Sequence, residues 1–126
     1  MNVVDSSGWL EYFIEGENAA FFAPAITDTA NLFVPTICVY EVFKRILQQK
    51  GLDTAEIRIA DLYKGKIIDL TASLALSAAT LSADLKLPMA DSLILATTRA
   101  HNATLWTQDE HFKDIEGVKY IAKKIT

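Results

Sequence analysis

The sequence predicts an α/β protein. It is read as a three-layer α/β/α sandwich around a mainly parallel sheet of about five short strands. Three observations carry this. Short apolar runs of three to five residues recur along the chain and alternate with segments of helical periodicity. The runs are apolar on both faces, as strands buried in a covered parallel sheet must be. Hydrophobic residues make up 51% of the 126 residues, ample for one core, so one domain spanning residues 1–126 is expected.

The elements follow in order. Asn2 to Val4 is a short apolar strand, and Ser7 to Ile14 a helix with Trp9, Leu10 and Phe13 on one side. Asn18 to Asp28 is rich in Ala and Phe and reads as helix despite Pro24. Leu32 to Val34 is a strand stopped by Pro35. Thr36 is placed as the cap of a helix to about Gln49, with Ile37, Tyr40, Phe43 and Leu47 at helical spacing. Lys50-Gly51-Leu52-Asp53 ends that helix, and Asp53 or Thr54 caps another to about Tyr63. Ile67 to Leu70 is a strand. Thr71 caps a helix striped by Leu74, Ala78, Leu81 and Leu85. Pro88 opens a helix to about Asn102. Ala103 to Thr107 and Val118 to Ile121 are the last strands. The helix pair between the second and third strands is expected to form a hairpin. Ile46, Leu47, Leu52, Ile57, Ile59 and Leu62 give it more apolar surface than one stripe needs, so it either covers a partner or buries its own seam.

Composition narrows the function. The formal charge of −4 argues against a generally basic nucleic-acid-binding surface. The lone Cys38 lies in an apolar stretch and suits a reducing cytoplasm. No apolar run reaches roughly 18 residues, and no secretory signal opens the chain, so neither a membrane span nor export is expected. His101 and His111 lack the spacing and cysteine partners of a zinc site and read as surface residues. There is no Gly-x-Ser-x-Gly elbow and no glycine-rich phosphate loop. A phosphoacceptor receiver domain needs an acidic pair after the first strand, where Asp5 is followed by Ser6 and Ser7. A haloacid-dehalogenase-like phosphatase fails on the same residues.

Carboxylates are the remaining chemistry. In an open parallel sheet, ligands sit beyond the carboxyl ends of the strands. Asp5 follows the first strand, and Asp109 follows Leu105-Trp106-Thr107. Glu41 lies in the second turn of the helix after the second strand, and Asp91 in the first turn of the helix opened by Pro88. All four can face one sheet edge, where they would repel one another unless a cation neutralised them. All-oxygen ligation suits Mg²⁺ or Mn²⁺ and phosphodiester hydrolysis by metal-activated water. Simpler roles stand beside these: Asp5 and Asp109 as helix caps, Asp91 as a complement to the helix dipole, Glu41 as a solvated side chain.

Four segments together carry a family resemblance: Val3-Val4-Asp5-Ser6-Ser7, Thr36 to Lys44 with Tyr40-Glu41-Val42, Pro88 to Ala96 with Asp91, and Leu105 to Phe112 with Thr107 and Asp109. In this order and at this length, the sequence resembles the PIN domain family, and in size and layout its VapC-type toxin ribonucleases. The resemblance implies that Asp5, Glu41, Asp91 and Asp109 form the metal-binding acidic set, with Ser6 and Thr107 as supporting hydroxyls. It implies a Mg²⁺- or Mn²⁺-dependent endoribonuclease cutting structured RNA such as tRNA or rRNA. It also implies a cognate antitoxin and a homodimer. An RNA-processing nuclease without an antitoxin and a catalytically silent binding module are the alternatives. Gln108 stands where many relatives carry a basic residue. Lys44, Arg45, Lys86 and Arg99 are the candidates for a phosphate-contacting rim, and Lys123-Lys124 reads as a solvated tail.

Overall fold

The computed structural model describes residues 1–124. Five strands form one sheet: β1 (Asn2–Val4), β2 (Leu32–Pro35), β3 (Lys66–Ile68), β4 (Thr104–Thr107) and β5 (Val118–Tyr120). Their spatial order is β3-β2-β1-β4-β5, and every neighbouring pair is parallel. Val3 and Val4 of the central strand pair with Leu105 and Trp106, and Val3 with Phe33 on the other side. Parallel strands need long crossovers, and six helices supply them: α1 (Ser6–Phe13), α2 (Ala19–Thr27), α3 (Thr36–Lys50), α4 (Leu52–Leu62), α5 (Ala72–Leu85) and α6 (Met89–Ala100). The three-layer α/β reading holds.

Consecutive helices pack as pairs, α1 on α2, α3 on α4 and α5 on α6, and α3 also touches α1 and α6. The core gathers Val3 and Val4 from β1, Leu32 and Val34 from β2 and Leu105 from β4. Trp9, Phe22, Val42, Leu62, Ile94 and Leu95 come onto it from the helices. Cys38 is fully buried there, as its apolar setting predicted. Gly8 lets α1 approach closely: a Cβ at that position would lie 2.6 Å from the Phe22 ring and 2.8 Å from Val4.

Several local expectations are corrected. Thr36 is the first residue of α3, not its cap; Pro35 holds the cap position, and the Thr36 hydroxyl donates to the Ile68 carbonyl across to β3 (2.8 Å). Gly51, with φ of 88°, joins α3 to α4, so neither Asp53 nor Thr54 caps α4. A left-handed φ needs no Cβ, which is why the break falls at this glycine. Thr71 does cap α5, accepting from the Leu74 amide. In the α3–α4 hairpin, Ile46 and Leu62 belong to the core and Ile59 is half-buried, while Leu47, Leu52 and Ile57 are exposed. Part of the surplus apolar surface thus serves the hairpin's own packing. No helix among the described residues is long and apolar enough to cross a membrane.

Candidate active site

The order β3-β2-β1-β4-β5 reverses direction at β1: successive strands first add on one side of it, then on the other. A ligand crevice is expected outside the carboxyl ends of β1 and β4, where this reversal occurs. Asp5 is the first residue beyond β1, and its amide still donates to the Trp106 carbonyl of β4 (2.9 Å). That bond fixes the aspartate at the sheet edge.

Asp5 is buried, only 2% exposed. It holds the N-cap position of α1, yet its side chain makes no capping bond. Its Oδ2 instead accepts from Ser7 Oγ (2.7 Å) and Thr107 Oγ1 (2.9 Å). Thr107 also accepts from the Asp109 amide (3.0 Å), so one buried hydroxyl orients both acidic residues. Burial pushes the Asp5 carboxyl up to about 6, against the pull of these two hydroxyls; the charges of Asp91 and Asp109 raise it further.

Asp91 sits in the first turn of α6, nearly buried. Burial raises its pKa, as do the charges of Asp109 and Glu41, while a hydrogen bond from His111 opposes them. Glu41, half-buried on α3, accepts from Ser6 Oγ (2.8 Å). Asp109 caps a 3-10 turn (Glu110–Phe112) by accepting from the His111 amide (2.9 Å), so its simpler role is real and coexists with its place at the site.

The histidine is the addition the sequence did not give. His111 Nδ1 lies 2.7 Å from Asp91 Oδ2 and 3.2 Å from Asp109 Oδ1. Its ring is on the surface, as expected, but it is tied to the acidic site. The hydrogen bond to Asp91 raises its pKa first, and the charge of Asp109 second. Ligand atoms of Asp91, Asp109 and His111 all lie within 4.8 Å of one another. Asp5 and Glu41 fall outside that tight set, yet the charges of Asp91 and Asp109 act on Asp5 and that of Glu41 acts on Asp91.

This donor set fits a hard divalent cation. Its carboxylate oxygens, with no thiolate, suit Mg²⁺ or Mn²⁺, while the His111 nitrogen is already engaged with the acids. The raised carboxyls show negative charge crowded at low solvation, which a cation relieves. Among the described residues, His111 is the only basic side chain ion-paired to it.

The expected basic rim is only partly at this edge. Lys86 terminates α5 just before α6, near the Asp91 end. Lys44 follows Glu41 by less than one turn, but its ammonium lies over the Tyr40 ring of the same helix. Arg45 borders a groove that also holds Ser7 and Gln108. Arg99 is eight residues beyond Asp91 on α6, about 12 Å further along the axis, and is therefore not brought to the site. Gln108 is buried, and its side-chain oxygen accepts from Asn18 Nδ2 (3.0 Å).

With this geometry in place, the comparisons with known proteins are decisive on one point. The PIN domain family model matches residues 3–118. The chain belongs to the PIN domain family. The match runs from within β1 to the first residue of β5 and includes Asp5, Glu41, Asp91 and Asp109. Solved structures agree on the PIN fold. A toxin–antitoxin complex from Klebsiella pneumoniae superposes with a TM-score of 0.76 at 21% identity, covering 94% of this chain and 96% of that one. Mycobacterium tuberculosis VapC20, described as a Sarcin-Ricin loop cleaving toxin, gives 0.77 at 14% identity, covering 94% and 97%. VapBC2 from Rickettsia felis, solved with a fragment of its promoter DNA, gives 0.71 at 17% identity, covering 96% and 97%. At such identities these likenesses speak for the PIN fold. No curated protein sequence gives a significant match.

Proposed function

We propose that this PIN domain is a divalent-metal-dependent endoribonuclease, the toxin of a toxin–antitoxin pair. Its reaction is hydrolysis of phosphodiester bonds in structured RNA such as tRNA or rRNA. What supports the reading is the cluster of Asp91, Asp109 and His111, whose ligand atoms lie within 4.8 Å of one another, with the buried Asp5 and the half-buried Glu41 as the further acids of the proposed site. A site built only for stability gains nothing from crowding carboxylates in this way. The toxin assignment is supported by the neighbours described as toxins and toxin–antitoxin complexes.

Asp5, Asp91 and Asp109 would hold a Mg²⁺ or Mn²⁺ ion, with Glu41 as the fourth acid. When bound, such an ion supplies an activated water nucleophile at neutral pH and charge stabilisation for the phosphoryl oxygens. Thr107 and Ser7 keep one Asp5 oxygen occupied by hydrogen bonds and fix its plane. Ser6 does the same for Glu41. His111 bridges Asp91 and Asp109 and holds the two carboxylates together. A cognate antitoxin, a homodimer and a cytoplasmic setting complete the reading.

The test is incubation of the purified, partner-free protein with total RNA, with Mg²⁺ or Mn²⁺ and with EDTA. Discrete fragments that need the metal are expected. Intact RNA with a folded, metal-loaded protein would turn the reading towards a binding module.

A further inference from the structure

After β5 the chain is held back against the site. The Ile121 amide donates to the Thr107 carbonyl (3.0 Å), and the Ala122 carbonyl accepts from Asn18 Nδ2 (3.1 Å). The same amide nitrogen of Asn18 donates to Gln108 Oε1 (3.0 Å), and Gln108 Nε2 reaches the Ser7 carbonyl (3.4 Å). Asn18 is 1% exposed, and among the described residues its Oδ1 has no partner.

The clamp places the next two residues. A cleft of about 670 Å³ is lined by Ser7, Gln108, Asp109, Glu110, His111, Lys123 and Lys124. Asp109 and His111 of the acidic site line it together with the two lysines. Among the described residues neither lysine forms an ion pair, so both ammonium groups remain open to an anion. In a chain of formal charge −4, a polyanion needs such a local foothold beside the acids.

We propose that Lys123 and Lys124 bind the phosphates of an RNA strand in this cleft, and that Asn18 and Gln108 are positioning residues that hold the C-terminal segment there. The proposal rests on the nuclease reading, and names where its substrate lies. A phosphodiester strand suits this lining, with backbone phosphates at the lysines and the scissile group at the acids.

The test is binding of a fluorescein-labelled RNA hairpin across a salt series, in EDTA so that it stays uncut. Each lost phosphate contact reduces the slope of log K against log salt by about 0.7–0.9. The Lys123→Ala/Lys124→Ala double variant is expected to flatten the slope by about 1.5 and to raise KM in cleavage with little change in kcat. The Lys123→Arg/Lys124→Arg pair should keep the wild-type slope. Asn18→Leu, which removes no charge, should flatten it nearly as much, a change that a merely structural residue would not cause. A wild-type slope in the lysine double variant would overturn the proposal, even with cleavage of total RNA intact. So would weakened binding of polyglutamate with RNA binding unchanged, which would assign the cleft to an acidic peptide. A flattened slope in the lysine variant but not in Asn18→Leu would remove the clamp. Failure of wild type to bind or cut any RNA would instead overturn the nuclease reading beneath it.

Discussion

Replacing Asp5 by Asn tests the site through its cost to the fold. Burial moves the Asp5 carboxyl from its ordinary 3.8 to about 6. At about 1.4 kcal/mol per pH unit, keeping it ionised at pH 7 costs the metal-free fold about 3 kcal/mol. Asparagine removes the charge and keeps one acceptor oxygen for Thr107 Oγ1, while the Ser7 hydroxyl can turn to accept from the new amide. Allowing for an imperfect replacement, we expect the metal-free variant to be more stable than wild type by about 2 kcal/mol. For a chain of this size that is roughly 8 °C in Tm. Mn²⁺ should reverse the order. A ligand at a hundred times its Kd stabilises the fold by about 2.7 kcal/mol, and the variant should lose most of that gain. The assay is thermal unfolding by circular dichroism at pH 7, each protein with EDTA and with Mn²⁺. A metal-free Asp5→Asn protein less stable than wild type would refute the argument that this carboxylate is strained by burial. An equal Mn²⁺ shift in both proteins would refute its part in the cation site.

Three further outcomes follow from the same contacts. The folded protein takes up a proton at Asp5 near pH 6 and the unfolded chain only near 3.8, so metal-free wild type should gain stability as pH falls from 7 towards 4. Asp91 and His111, both raised, act in the same direction, so the part due to Asp5 is the difference from Asp5→Asn in urea titrations at each pH; parallel profiles would contradict it. Thr107→Val removes the hydroxyl that serves Asp5 and the Asp109 amide, at full burial, and should cost about 1–3 kcal/mol in urea unfolding; an unchanged midpoint would remove Thr107 from its orienting role. Gly8→Ala forces a methyl against Phe22 and Val4, both fully buried, and should cost about 1–3 kcal/mol by the same assay; a neutral effect would mean that α1 is free to shift.

The architecture was legible because each strand is a short run apolar on both faces, and because strand ends place polar residues at one edge. Asp5 and Asp109 could be assigned to that edge from their position after β1 and β4 alone. Helix caps were less legible. Thr36 has the right chemistry for a cap, but Pro35 already holds the extended conformation that a cap requires, which frees the threonine hydroxyl for Ile68. His111 was missed as a partner of the acids because its link to Asp91 spans 20 residues and depends on the 3-10 turn that presents the ring. Asn18 offered no signal at all, since its partners Gln108 and Ala122 lie about a hundred residues away in sequence. Gln108 is legible in the sequence as a residue of unusual type for its place, and the structure shows it bonded to Asn18 and the Ser7 carbonyl.

The central claim, that the acidic crevice cuts RNA with a bound divalent ion, is tested most directly by single-turnover cleavage of an RNA identified from the total-RNA digest. Wild type and Asp91→Asn would be compared over a Mn²⁺ titration. The account predicts a rate that saturates with metal, vanishes in EDTA and falls in the variant by more than the 10–100-fold typical of losing an outer-shell partner. Cleavage that persists in EDTA, or that survives Asp91→Asn at the wild-type rate, would contradict it.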